Sequence, residues 1–283
     1  LTGGSGYLGR HLARRAVSRF SLVTAYHRSP AVTAGRPLPL DLTDREAVFR
    51  AVEALQPQAI IHAAAINPGS GDEAAMMRVN ADGTRHLAEA ARQVGARLVH
   101  VSTDVVHDGR HAPYPDDAPP APLNAYGRSK AAGEAAVAGA CPQAVIVRTP
   151  LIYGLEEMDR GTAGFVQKLR SGRPLILFHD VIRQPVWVET LCEALLRLVD
   201  LPVAGILNVA GRQPLTREAF ARRMLAFWQV DRLDLLRSGR AADVSAEIPL
   251  DLRLEVSRAE NLLGMTFPGV DEVLARHQAS MSA

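Results

Sequence analysis

Short apolar runs alternate along the chain with longer segments whose apolar residues recur every three or four positions. This alternation predicts an α/β fold in which a parallel sheet is covered by helices on both faces. Leu8, Leu12, Ala16 and Phe20 lie on one helical stripe, and Leu22-Val23-Thr24-Ala25-Tyr26 follows as a strand. Thr43-Asp44-Arg45-Glu46 reads as a capping box opening a helix through Val48, Val52 and Leu55. Ala59-Ile60-Ile61-His62-Ala63 and Arg97-Leu98-Val99-His100-Val101 read as buried strands, with a helix between them that ends near Val94 and has Gly95 as its stop signal. Residues 108–123 are rich in proline and aspartate, which predicts a long loop leading into a helix from about Ala125. A strand over Ala144-Val145-Ile146-Val147-Arg148 comes next, and beyond Gly154 the alternation weakens. A helix over 189–199 and a strand Ile206-Leu207-Asn208-Val209 return to the sheet. The expected division is a sheet domain of residues 1–153 plus 186–211 and a smaller lobe of 154–185 plus 212–283.

Composition narrows the function classes. The 283 residues suffice for one catalytic unit, and 32 basic against 30 acidic side chains leave no charge excess to spread over a phosphate backbone. Nucleic acid is therefore not an expected partner. Cys141 and Cys192, the two cysteines, have neither metal-ligand spacing nor the number needed for a disulfide framework, so no metal is expected. No apolar stretch reaches 18 residues, so no membrane span is expected and a cytoplasmic setting follows. The chain opens at Leu1-Thr2-Gly3, without a methionine, and a glycine loop at position 3 needs a strand before it. Part of the first strand is thus expected upstream of this numbering.

That loop carries the first candidate chemistry. Thr2-Gly3-Gly4-Ser5-Gly6-Tyr7-Leu8-Gly9 places Gly-x-x-Gly-x-x-Gly at a strand-to-helix junction. Glycines suit it because the backbone must turn tightly and approach a pyrophosphate, while the helix N-terminus offers N–H groups and a partial positive charge. In the context of alternating strands and helices this predicts a Rossmann-type doubly wound sheet that binds NAD(P), with Gly3, Ser5, Gly6, Tyr7, Leu8 and Gly9 as cofactor-binding candidates. The next strand ends Ala25-Tyr26-His27-Arg28-Ser29 and carries no acid for a ribose hydroxyl. Arg28, with its fork of donors, suits a 2'-phosphate, which favours NADPH while leaving NADH open.

A second candidate is Tyr126-Gly127-Arg128-Ser129-Lys130, where phenol and ammonium stand one helical turn apart on one face. Of the 32 basic residues only Lys130 and Lys168 are lysines. With five tyrosines and two lysines, a chance Tyr-x-x-x-Lys has an expectation of roughly 0.035, so a site that rejects arginine is the better explanation. An ammonium bonded to a cofactor ribose lowers a nearby phenol's pKa, and the phenol then exchanges a proton with an alkoxide during hydride transfer. Val101-Ser102-Thr103-Asp104 delivers hydroxyls to the carboxyl edge of the sheet, where Thr103 can orient the substrate oxygen and Ser102 or Asp104 can hold the loop.

At this point the residues resemble a known family. Gly3 to Gly9, Asp41-Leu42-Thr43-Asp44, Ser102-Thr103-Asp104-Val105-Val106-His107-Asp108-Gly109, Pro122 to Lys130, and Arg148-Thr149-Pro150-Leu151-Ile152-Tyr153-Gly154 are similar to the dTDP-4-dehydrorhamnose reductase branch of the extended short-chain dehydrogenases/reductases. The related regulatory β subunit of methionine adenosyltransferase shares these landmarks. The resemblance implies Thr103, Tyr126 and Lys130 as the catalytic trio, and Gly3, Gly6 and Gly9 on the pyrophosphate. It also implies Asp41 and Leu42 near the adenine, Ala63, Ala64 and Ala65 along the cofactor, and Asn80 steadying the lysine through hydrogen bonds. The implied activity is NADPH-dependent reduction of the 4-keto group of a nucleotide-diphosphate sugar, in an enzyme compatible with a homodimer. Another short-chain reductase or epimerase activity, and a cofactor-bound regulatory subunit, stay open. Two departures stand out: His107 occupies a position where the family has Phe, and Ile248-Pro249 replaces an Arg-Pro pair in the lobe expected to face the diphosphate. Arg183, with Asp104 and Thr103, remains as a substrate candidate.

Overall fold

In the computed structural model, which describes residues 1–281, the apolar runs become a parallel sheet and the periodic segments its helical covers. The first half runs α1 (Tyr7–Ala16), β1 (Val23–Tyr26), β2 (Arg36–Pro39), α2 (Arg45–Leu55), β3 (Ala59–His62), α3 (Glu73–Met76), a π-helical segment Met77–Gly83, α4 (Thr84–Gln93), β4 (Arg97–Thr103), α5 (Ala125–Ala140) and β5 (Val145–Thr149). The second half runs β6 (Ile152–Tyr153), α6 (Arg160–Arg170), β7 (Leu175–Phe178), β8 (Ile182–Arg183), β9 (Val186–Trp187), α7 (Val188–Asp200), β10 (Gly205–Asn208), β11 (Leu215–Thr216), α8 (Arg217–Phe227), β12 (Leu236–Gly239), α9 (Ser257–Leu263) and α10 (Val270–Met281).

The central layer has the order β10-β5-β4-β3, all parallel. Leu1 and Thr2 extend it: Thr2 N–H donates to the Ile61 carbonyl at 3.0 Å, and Ala25 N–H to the Leu1 carbonyl at 2.7 Å. This short stretch joins β3 to the parallel pair β1-β2. The winding therefore reverses beside Thr2 and β3, and a crevice opens at the carboxyl ends of the strands there.

Alternation along each strand feeds both cores. Val99, Val145, Val147 and Leu207 face Leu8, Leu12, Leu191 and Leu195 of α1 and α7. Leu98 and Ile146 face Val48, Val52, Leu87 and Val137 of α2, α4 and α5. Each such side chain contributes about 1.5–3 kcal/mol by leaving water, which is why the parallel strands are nearly continuous apolar runs.

Three details differ from the sequence expectations. Asp44, not Thr43, caps α2: its carboxylate accepts the Ala47 N–H at 3.0 Å, while the Thr43 hydroxyl donates to Asp41 at 2.8 Å and so is already engaged. Phe20 lies beyond the end of α1 at Ala16 and reaches the core from a turn rather than from the helix. Ala259, Leu263 and Phe267, from the C-terminal segment, pack into the core beside α7 rather than within the lobe alone. The lobe has its own small cores around Leu169, Leu177 and Leu225, and around Tyr153, Phe220 and Met224. Among the described residues no helix is long and apolar enough to cross a membrane.

Candidate active site

The glycine loop turns between Thr2 and α1 under tight constraint. A Cβ on Gly3, whose φ is +72°, would lie 2.7 Å from the Ala63 carbonyl group and the Ala64 nitrogen, and one on Gly9 would lie 2.1 Å from the Gly3 oxygen. No side chain fits at either place, so loop, strand and helix interlock only with glycine. The N-cap of α1, Gly6, supplies no side-chain cap, and the first turn holds no acid. The positive end of the helix is thus left to an external anion. Arg10 braces the loop by donating to the Ser5 carbonyl at 2.8 Å. These features fit the pyrophosphate of a dinucleotide.

From this loop a cavity of about 1680 Å³ runs along the carboxyl edge of the sheet. Of the residues singled out by sequence, Gly3, Ser5, Gly6, Tyr7, Leu8, Gly9, Arg28, Asp41, Leu42, Ala63, Ala64, Ala65, Ser102, Thr103, Tyr126, Lys130 and Arg183 all line it. Asn80 and Asp104 do not; both are fully buried behind the wall.

At the far end an acid does stand beside Arg28, contrary to the expectation from β1 alone. Burial by itself would raise the Asp41 carboxyl, but hydrogen bonds from Thr43 and the charges of His27 and Arg28 hold it below the ordinary carboxylate range. Its Oδ1 accepts the Thr43 N–H at 2.9 Å, and its Oδ2 lies 3.4 Å from His27 Nε2. The acid arrives just after β2, a strand further on than the usual position.

At the other end, α5 brings Tyr126 and Lys130 to the close of β4. Asn124 caps the helix by accepting the Gly127 N–H at 2.9 Å. A Cβ on Gly127 would come within 2.4 Å of the Val105 oxygen, and one on Gly133 within 2.4 Å of the Asn80 oxygen. The two glycines let α5 settle against the loop after β4 and against the π-helical segment. Thr103 closes β4 by accepting the Val105 N–H at 3.2 Å, and its own hydroxyl donates to Asp104 Oδ1 at 3.2 Å. Asn80 donates to Ser129 at 3.0 Å and clamps Ile66 through both its N–H and its carbonyl. It positions the neighbour of Lys130 and the segment that follows Ala63, Ala64 and Ala65 rather than touching the lysine.

The electrostatics depart from the expected tuning. Burial, and next the Asp104 charge, push the Tyr126 phenol up to about 12, against Thr103 and Arg183; Lys130 is not among the influences. The reason is geometric: the Lys130 ammonium donates to the Val101 carbonyl at 2.8 Å. Burial brings this ammonium down to about 8, with Glu134 opposing. Beneath it, His62 and His100 lie with ring centroids 5.0 Å apart. Burial and the Lys130 charge hold both neutral.

The remaining polar candidates form paired supports. Glu134, one turn beyond Lys130, accepts Ser102 Oγ at 2.6 Å and both Nε and Nη2 of Arg148 at 3.0 and 2.8 Å. Asp104 accepts Arg183 Nε at 2.6 Å and Nη2 at 2.5 Å. Burial pushes the Asp104 carboxyl up while the Arg183 fork pulls it down. Arg183 and Asp104, both proposed from sequence as substrate residues, thus satisfy one another. Ile248 reaches the cavity wall, so the position where the family carries arginine is apolar here.

The structure also adds residues that sequence reasoning missed. Arg160, Phe165 and Lys168 on one face of α6, and Arg217 at the start of α8, line the lobe side of the cavity. Only Lys168 had a signal, as the chain's second lysine.

A family model described as the RmlD substrate binding domain matches residues 1–281. The chain is 34% identical over 232 residues to a dTDP-4-dehydrorhamnose reductase of Mycobacterium tuberculosis, covering 78% of this chain and 72% of that one. It is 30% identical over 297 residues to the methionine adenosyltransferase 2 subunit beta of Pongo abelii, covering 97% and 86%. Its structure superposes with a TM-score of 0.80 on the dTDP-4-dehydrorhamnose reductase of Bacillus anthracis in complex with NADP, at 25% identity and covering 97% of this chain and 96% of the other.

Proposed function

Since the chain belongs to the RmlD substrate binding domain family, we propose that it reduces the 4-keto group of a deoxythymidine-diphosphate sugar with NADPH. It is an NAD(P)-dependent oxidoreductase of the short-chain dehydrogenase/reductase type. The observation that carries the substrate chemistry is the convergence of Thr103, Tyr126 and Lys130 on the cavity that the glycine loop opens.

A nicotinamide dinucleotide held along the cavity by the glycine loop, Gly3 to Gly9, would supply the hydride for the carbonyl carbon. Tyr126 does the complementary work: with a pKa near 12 its phenol keeps its proton at neutral pH and gives it to the carbonyl oxygen as negative charge develops there. The Thr103 hydroxyl, fixed at the end of β4 on the cavity wall, offers a second contact to that oxygen. Lys130, its ammonium fixed at the Val101 carbonyl on the cavity wall, is placed to hold the dinucleotide, which the glycine loop with α1 orients.

The test is to offer 4-keto sugar nucleotides and follow NADPH oxidation. Turnover with the deoxythymidine-diphosphate sugar is expected. Retained NADPH binding, no turnover with any keto sugar nucleotide and co-purification with a larger enzyme would instead favour a regulatory subunit, a reading supported by the likeness to the methionine adenosyltransferase subunit.

Cofactor choice gives a further expectation. Arg28 lines the cavity at the end of β1 beside the ionised Asp41, so the guanidinium offsets that acid and supplies donors to a 2'-phosphate. NADPH is expected to bind more tightly than NADH, and Arg28→Ala to shrink the preference by roughly tenfold, as loss of a charge-assisted contact does. Calorimetric titration with both cofactors measures it, and an unchanged preference in the variant removes Arg28 from the account.

A further inference from the structure

Arg217 is a cation of the cavity wall that the protein itself leaves unanswered. It opens α8, anchored there by its own N–H to the Val181 carbonyl at 2.8 Å, and its side chain lines the cavity. Its guanidinium carbon lies 6.0 Å from the centre of the Phe178 ring. Among the described residues no carboxylate pairs with it. The acids close by in chain or space are already engaged: Asp104 grips Arg183 through both oxygens, and Glu218 accepts Arg222 at 2.8 Å and Ser238 at 2.5 Å. Burial, and after it the like charge of Arg183, brings the Arg217 guanidinium down to about 10.

A largely desolvated guanidinium beside a second cation is a burden to the free protein, because its hydration is lost and no partner replaces it. Arg183 and Arg217 together carry two positive charges against the single charge of Asp104, so this trio of side chains has a surplus of one. Structural ion pairs elsewhere in the chain are closed, as Arg148 with Glu134 illustrates. An open one facing a cavity is what a site for an anionic ligand requires.

We propose that Arg217 binds the diphosphate of the nucleoside-diphosphate sugar, while Arg183, locked by Asp104, shapes the wall and does not carry that charge. The proposal rests on the reading of the substrate given above and assigns its anionic group to a residue of α8. A guanidinium suits the role because its planar fork matches phosphate oxygens in a way that an ammonium does not.

The experiment titrates thymidine diphosphate into NADPH-loaded wild-type protein, Arg217→Met and Arg217→Lys, with thymidine as the uncharged control. The expected result is a Kd for thymidine diphosphate raised roughly 10- to 100-fold in Arg217→Met, the loss of one charge-assisted contact. Arg217→Lys should recover part of it, and thymidine should bind all three proteins alike. Inorganic pyrophosphate should compete with thymidine diphosphate in the wild type and not in Arg217→Met. Because the arginine is unpaired, its removal should leave the melting temperature of the ligand-free protein equal or higher, which a structural arginine would not do. Equal thymidine diphosphate affinity in wild type and Arg217→Met overturns the proposal, as does a wild type that binds no thymidine diphosphate. If no keto sugar nucleotide is turned over but the contrast between the proteins persists, the reductase reading fails and the anion site stands. If turnover is normal and the contrast is absent, the reverse holds.

Discussion

Tyr126→Phe is expected to lower turnover of the keto sugar nucleotide by about 10²- to 10⁴-fold, the range for loss of a positioned general acid, with NADPH binding kept. The substitution removes the phenol oxygen and almost no volume, and α5 retains its Asn124 cap and its glycine contacts. Lys130→Met should lose cofactor affinity as well, because the ammonium is fixed at the Val101 carbonyl on the cavity wall. The pH axis of the same assay separates the two groups. Tyr126, near 12, stays protonated throughout the working range and produces no limb of its own in the direction of reduction. Lys130, near 8, loses its charge as pH rises through that value. The rate of reduction should therefore be level on the acid side of pH 8 and decline on the alkaline side. His62 and His100 stay neutral at these pH values and add no limb. Full activity of Tyr126→Phe on a verified substrate would falsify the mechanism.

Glu134→Ala is expected to destabilise the protein by about 3–5 kcal/mol, the usual consequence of removing one member of a buried ion pair. Arg148 is fully buried, and its Nε and Nη2 rely on this carboxylate, while Nη1 turns to the Ala118 carbonyl at 2.8 Å. With the acid gone, a desolvated guanidinium is left facing the neutral ring of His107, whose pKa is brought down to about 4 by burial and by Arg148 itself. Ser102 loses its acceptor at the same time. Chemical denaturation reads the loss directly. The double variant Glu134→Leu/Arg148→Met should be more stable than Glu134→Ala, since two apolar groups leave no orphaned charge. A single variant as stable as the wild type would mean that water reaches Arg148 and that the pair is not a support of α5.

The sheet and its cofactor loop were legible in the sequence because each is dictated by local physics. Strands buried on both faces must be largely apolar, as the run Val145-Ile146-Val147 is, and helices that cover them must carry a stripe such as Leu8 and Leu12. Gly3 and Gly9 were readable because a tight turn against a neighbouring strand admits no side chain. Tyr126 and Lys130 were readable because a helix turn puts residues four apart on one face, in a chain that otherwise avoids lysine.

What escaped the sequence was everything set by contacts between distant segments. Asp41 comes under the charges of His27 and Arg28 only because β1 and β2 pair in register, which the end of β1 read by itself does not show. Asp104 and Arg183 each read as a substrate contact, yet 79 positions apart they close on one another, while Arg217 on the same cavity wall has no such carboxylate partner. The phenol's upward shift depends on that same folded arrangement, since burial and the Asp104 charge act through space. Local periodicity and steric exclusion are written residue by residue and survive in the linear chain. Charge pairing and desolvation are properties of the folded neighbourhood, and the tertiary structure alone decides which charges are left for a ligand.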